Sequence, residues 1–282
     1  MKKNNFKYIL VILAMVMVYA CSKNSGVTNQ PFSIYGIAGS QGQLKINLGF
    51  AYTINYNTLL LKINDNVVSN SLTTRTPFPG GGYNTNGSNF ALYLGVKQGD
   101  NTVAVVIPKF GTSIDSIVLY KTTVNIPDNS TYTLHIADTL VSPSVNNTKS
   151  ILVNNIINDM DTGWCRFKFV NMIPNLSAVD LYLNGVKIKS AISFMTATDT
   201  FSVRTGVYQP GYTGAITSWA IRPAGALSTS AATASYANAN GLQSQKVMTI
   251  FSMGYAGLTG SRLPYVAFTL DKNQKQFNLD NI

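Results

Sequence analysis

Glutamate is absent from this chain; all eleven acidic residues are aspartate. Histidine occurs once, at His135, and cysteine twice, at Cys21 and Cys165. Only 11% of the residues are charged. Each scarcity excludes something. One histidine and two cysteines far apart in sequence cannot furnish a dedicated four-ligand zinc site, so no metal ligands are assigned. A cysteine nucleophile needs a base beside it, yet Cys165 and His135 sit in separate alternating strand patterns in different halves of the chain. A serine triad would have to draft His135, flanked by Leu134 and Ile136, as its base. A glycoside hydrolase needs paired carboxylates, and these aspartates lie mainly in turns without a pairing motif. No catalytic residue and no cofactor is therefore expected, a cryptic hydrolase being the remotest reading. Long amphipathic helical patterns are missing too.

What is present begins at the N-terminus. Met1-Lys2-Lys3 and Lys7 lead into an apolar run of about a dozen residues, short of the ~20 needed to span a bilayer. It ends in Val18-Tyr19-Ala20-Cys21, which resembles the lipobox of bacterial lipoproteins, with Tyr19 an unusual middle residue. The resemblance implies that residues 1–20 are a signal peptide and that Cys21 is the lipidated first residue of the mature chain. Several acyl chains make such an attachment stable where one does not. Residues 21–30 then form a polar tether. The expected location is the bacterial outer membrane, lipid-anchored, facing the periplasm or the cell surface.

Net charge is +10, or +7 once Lys2, Lys3 and Lys7 are set aside. The basic residues are scattered and not clustered, so they read as a solvated surface, and no nucleic-acid partner is expected. Abundant Asn, Thr, Ser and Gly with few helix formers is the composition of strands and turns. Strand patterns fall at 42–50, 58–63, 90–96, 101–108, 116–124 and 131–137, and a second series begins at 165. Cys165 lies within the alternating run Trp164-Cys165-Arg166-Phe167-Lys168-Phe169-Val170 and reads as a small buried hydrophobe.

The two series repeat one another. Leu61-Lys62-Ile63 turns at Asn64-Asp65-Asn66, and Leu181-Tyr182-Leu183 turns at Asn184-Gly185; such pairs favour tight hairpins because both residues accept positive φ. Leu94-Gly95-Val96-Lys97 matches Phe201-Ser202-Val203-Arg204. Val106-Ile107-Pro108 matches Ile221-Arg222-Pro223, and Tyr132-Thr133-Leu134-His135-Ile136 matches Met248-Thr249-Ile250-Phe251-Ser252. This spacing is a domain length rather than a solenoid period. The expected fold is all-β: two tandem immunoglobulin-like antiparallel β-sandwiches, at 31–145 and 164–282, joined by a connector at 146–163. Residues 151–157 read as either a short strand or part of that link.

The second half resembles the DUF4397 family. Arg166-Phe167-Lys168-Phe169-Val170-Asn171-Met172-Ile173-Pro174-Asn175, followed by Ala178-Val179-Asp180-Leu181-Tyr182-Leu183-Asn184-Gly185, carries the resemblance, with Ile221-Arg222-Pro223-Ala224-Gly225 and Thr249-Ile250-Phe251-Ser252-Met253-Gly254 further on. It covers about residues 165–260; residues 43–140 look like a degenerate copy. The resemblance implies a lipid-anchored or exported Bacteroidetes-type protein with an immunoglobulin-like sandwich, and implies no activity. Asp180 matches the family's aspartate and reads as a hairpin-network acceptor.

Binding, if loop-borne, has two candidate places. One is the insertion after Gly206, with Tyr208, Tyr212 and Trp219 as ligand-binding aromatics, set against core packing of Trp219. The other is the Gly-rich stretch Pro77-Phe78-Pro79-Gly80-Gly81-Gly82-Tyr83, with Phe78 and Tyr83, set against a flexible linker. Asp159-Met160-Asp161-Thr162-Gly163 offers too few oxygens for calcium and reads as a turn. Residues 227–240, rich in Ala and Ser, read as an edge strand or an irregular loop. The expected function is that of a non-catalytic, lipid-anchored envelope protein, a ligand- or protein-binding module for a glycan or an envelope protein. The alternative is a structural, adhesin or assembly role.

Overall fold

The computed structural model describes residues 41–51, 59–108, 115–139, 146–205, 217–238 and 244–272. Residues 1–40, which include the expected signal peptide, Cys21 and the expected tether, lie outside them. Among the described residues, regular structure is eighteen β-strands and one 3₁₀ turn at Gly260–Arg262, and no helix is long and apolar enough to cross a membrane.

The first nine strands are β1 (Gln41–Gly49), β2 (Leu60–Ile63), β3 (Asn66–Val67), β4 (Pro77–Phe78), β5 (Leu94–Lys97), β6 (Gly99–Pro108), β7 (Asp115–Ile126), β8 (Thr131–Ala137) and β9 (Lys149–Asn154). The second nine are β10 (Trp164–Asn171), β11 (Ala178–Leu183), β12 (Val186–Ser193), β13 (Thr196–Ala197), β14 (Phe201–Arg204), β15 (Thr217–Pro223), β16 (Ala234–Asn238), β17 (Val247–Met253) and β18 (Tyr265–Lys272). Each set builds one five-stranded and one four-stranded sheet. The first set pairs as β4-β1-β8-β9, with β5 also on β1, and as β3-β2-β6-β7. The second repeats this strand for strand, as β13-β10-β17-β18 with β14 on β10, and as β12-β11-β15-β16. Residues 146–163 thus contain β9, which completes the first repeat's sheet.

Register confirms the duplication. β5 lies on β1 with Lys97 opposite Gln41, and β14 lies on β10 with Arg204 opposite Trp164. Asn47 then pairs with His135 and, at the equivalent place, Val170 pairs with Phe251. Both hairpin turns hold two positive-φ residues, Asn64 and Asp65 in one repeat and Asn184 and Gly185 in the other. One match shifts by a residue. Leu61 faces Val105 and Leu181 faces Ile221, so Ile221 corresponds to Val105 and not to Val106. Burial sets this register, since Val105 and Ile221 both point into their cores, whereas the terminal prolines fall one position apart. The sheets are also not wholly antiparallel. β1 runs parallel to β8, and β10 to β17.

Three apolar clusters hold the chain. The first sandwich encloses Leu44, Ile46, Leu48, Leu61, Val103, Val105, Leu134 and Ile136. The second encloses Phe167, Phe169, Leu181, Trp219, Ile221, Ile250 and Phe268. A third joins Ala51, Ala137 and Val153 of the first repeat to Val170, Met172, Phe251, Met253 and Ala267 of the second. The two five-stranded sheets therefore pack face to face, giving four layers. Alternation explains it: in β1, Leu44, Ile46 and Leu48 face the sandwich core while Lys45 and Asn47 face the other repeat, and all five are 0% exposed.

Candidate functional site

Of the candidate binding aromatics, Trp219, Tyr83 and Phe78 pack against the apolar cores. Trp219 is fully buried. Its ring lies 4.9 Å from Phe167 and 5.8 Å from Phe268, centroid to centroid. It is a core residue, because β15 alternation sends Thr217, Trp219 and Ile221 inward. Phe78 is half-buried against the first core. Tyr208 and Tyr212 lie outside the described residues.

The Gly-rich stretch is neither linker nor ligand loop. It is a strap that crosses from the first repeat to the edge of β18. Phe268 N donates to Tyr83 O at 2.9 Å and Leu270 N to Gly81 O at 3.0 Å. Asn84 Nδ2 donates to Val266 O at 2.9 Å. Only glycine fits at position 82, where a Cβ would stand 1.7 Å from Phe268 O. Tyr83 enters the second repeat's core, edge-on to Phe268 at 6.3 Å, and its hydroxyl accepts from Lys246 Nζ at 2.7 Å. Burial of such a ring contributes about 2 kcal/mol.

Between the facing sheets lies a polar seam. Lys45 Nζ donates to Leu270 O and stands 3.7 Å from Asp271 Oδ1. Asp271 also accepts from Thr249 Oγ1 at 2.6 Å and Asn155 Nδ2 at 3.3 Å. Asn155 Nδ2 reaches Thr133 Oγ1 at 2.7 Å and the Tyr93 hydroxyl at 3.0 Å, and that hydroxyl donates to Asp271 O at 3.0 Å. The Tyr93 ring receives Lys45 Nζ 4.4 Å from its centroid. Across the seam Lys168 Nζ donates to Asn154 O. Burial raises the Asp271 carboxyl and lowers Lys45, with their mutual attraction opposing both shifts. Burial also raises Tyr93. His135, 3.0 Å from Asn47 Nδ2 through Nδ1, is pushed down to about 3 by burial and by the Lys45 charge, so it stays neutral. These groups join two sheets.

Asp180 is a second polar node, on the outer sheet of the second repeat. It accepts from Lys187 Nζ at 2.9 Å, Ala191 N at 2.8 Å and Gly225 N at 3.1 Å. Burial raises its pKa, but these bonds outweigh it and hold the carboxyl below its ordinary value. It fixes the irregular β11–β12 pairing and the turn after β15, the acceptor role expected of it. Cys165 is buried, and burial pushes its thiol up to about 12, which leaves it a poor nucleophile.

Residues 159–163 turn into β10, with Trp164 N donating to Asp161 O at 3.2 Å, and Asp159 pairs with Lys272. Among the described residues no three His, Cys, Asp or Glu side chains gather to hold a metal. Within 227–240, Ala234–Asn238 is an edge strand. The sequence reading missed Lys45, Tyr93, Asn155 and Asp271. Their sequence signals are slight: Lys45 sits between Leu44 and Ile46 in an alternating strand, and Asp271 follows the mainly apolar run of β18.

No family model matches the chain. No curated protein matches it. Among solved structures, a candidate adhesin from Bacteroides ovatus is similar over 74% of this chain and 88% of its own, at 11% identity and a TM-score of 0.19. At that score the likeness carries no argument about function.

Proposed function

We propose that this chain is a non-catalytic envelope protein, tethered by lipid at Cys21 to the bacterial outer membrane, whose rigid four-layer body presents its surface to a protein partner. One observation carries the reading. The residues that recognition or catalysis would draw on, namely Tyr83, Lys45, His135, Asp180, Trp219 and Asp271, are spent on joining strands and repeats. A body so fixed suits display, and confinement to a membrane raises its effective concentration near partners. The DUF4397 resemblance of the second repeat accords with it. A structural or adhesive role is the neighbouring reading, and glycan capture through Tyr208 and Tyr212 the next.

Two measurements test it. Metabolic labelling with palmitate should mark the chain and should fail in Cys21→Ser. Crosslinking in intact cells should capture an envelope protein, with capture lost in Tyr208→Ala/Tyr212→Ala if the insertion is the contact. An unlabelled Cys21, or a hydrolytic activity abolished by His135→Phe, overturns the proposal.

A further inference from the structure

An exposed strand edge presents unpaired main-chain groups and invites another strand, so stable folds blunt their edges. Most edges here are blunted. β3, β4 and β13 are two residues long, and β5 and β14 four. β12 carries Lys187 and Lys189 and two register irregularities against β11. β7 carries Lys121 and two irregularities against β6. β16 is a five-residue strand of Ala, Ser, Tyr and Asn. β18 is capped by the strap.

β9 is different. It pairs with β8 over six residues without irregularity, contains no proline, and reads Lys149-Ser150-Ile151-Leu152-Val153-Asn154. Asn155 N donates to Thr131 O at 2.7 Å, so the odd-numbered residues of β9 bond to β8, and the amides of Ser150, Leu152 and Asn154 and the carbonyls of Ser150 and Leu152 point outward, while Asn154 O accepts from Lys168 Nζ. Leu152 and Asn154 hold the places that Phe268 and Leu270 hold in β18. The amides of Phe268 and Leu270 are taken by Tyr83 and Gly81; those of Leu152 and Asn154 have no such partner among the described residues. Nor does this edge call for a tyrosine from outside. β7 places Tyr120 at the register position where β16 has Ala234, and Tyr120 reaches Ser150 Oγ at 2.9 Å.

We propose that the β9 edge pairs antiparallel with β9 of a second copy of this chain, joining two five-stranded sheets across a two-fold axis at Leu152. A second copy offers complementary side chains across that axis. In that register Ile151 faces Val153, Ser150 faces Asn154, and Lys149 faces Asn155 rather than another lysine. The main-chain N–H and C=O of Leu152 pair with their counterparts. An isologous contact of this kind closes at two copies. The inference goes beyond the proposed function and stands without it.

Sedimentation equilibrium of the full chain in density-matched detergent tests it. The chain should dimerise at micromolar concentration. Asn154→Pro removes an outward amide from an exposed position and should raise the dimer dissociation constant at least about tenfold. Ser150→Lys/Asn154→Lys sets like charges opposite each other twice and should give monomers. Ser150→Lys/Asn154→Asp should restore the dimer. Circular dichroism melting of each variant checks that the fold persists. A monomeric wild type, or a dimer indifferent to both Asn154→Pro and the lysine pair, overturns the proposal.

Discussion

Lys45 and Lys168 occupy equivalent places in β1 and β10, and each donates its ammonium to a main-chain carbonyl of the other repeat, Lys45 to Leu270 and Lys168 to Asn154. Leu270 and Asn154 are themselves equivalent. The correspondence continues inward within each repeat, with Asn155 on Thr133 and Asp271 on Thr249, and Asn155 touches Asp271 across the seam. The two repeats therefore face each other about an approximate two-fold axis near that last contact. The symmetry fails at one charge, because Asp271 stands where the first repeat has Asn155.

Removing the cation alone should be costly. Lys45→Met leaves the Asp271 carboxyl buried without its counter-charge and should lower stability by about 3–5 kcal/mol. Lys45→Met with Asp271→Asn should recover most of that loss, since both related places then carry a neutral amide. Urea denaturation of the wild type, the single and the double variant decides between them.

His135 should impose an acid limb on stability. Its folded pKa, about 3, lies below the ordinary 6.5, so between those values the unfolded chain takes a proton that the folded chain refuses. Stability is then full above about pH 6.5 and falls by about 3 kcal/mol on acidification to about pH 4. His135→Phe, which copies Phe251 at the equivalent place, should flatten that limb. Denaturant midpoints at several pH values measure it.

The strap should be sensitive at one methyl group. Gly82→Ala drives a Cβ into the fixed main chain of Phe268, costing two hydrogen bonds and the seating of Tyr83, about 2–4 kcal/mol. Hydrogen exchange at the amides of Phe268 and Leu270 should accelerate in this variant while amides in β6 keep their protection.

Trp219 should act as a core residue. Trp219→Ala opens a cavity between Phe167 and Phe268 and should cost about 3–5 kcal/mol. Differential scanning calorimetry of this variant against the wild type measures the loss.

Asp180→Asn should cost about 1–3 kcal/mol, because the carboxylate serves two main-chain amides. Its lowered pKa makes this contribution present above about pH 4 and lost as pH falls through the folded value, below the window that His135 controls. Thermal melts at neutral and at strongly acid pH should show the wild-type advantage only in the former.

Much of each repeat was legible because its signals are local. Hairpin turns need residues that tolerate positive φ, and Asn64-Asp65 and Asn184-Gly185 announce them. The match of Tyr132-Ile136 to Met248-Ser252 falls in the structural register. The face-to-face packing was illegible for a physical reason. Lys45, Asn47, Thr133 and His135 alternate with apolar residues, the pattern of a strand with one wet face, and nothing local tells that a second sheet covers it. The strap was hidden the same way, since glycine chosen for close approach reads like glycine chosen for mobility. β9 reads ambiguously in sequence because Asn154 and Asn155 look like turn residues, while the carbonyl of one accepts from a lysine and the other sits in the seam.

Tyr83 has a consequence for ancestry. A ring encoded in one copy finishes the interior of the other, so a gene that dropped the first half would leave the second with an unplugged hole, and one that dropped the second would leave Tyr83 uncovered. That dependence holds the tandem arrangement in place against deletion.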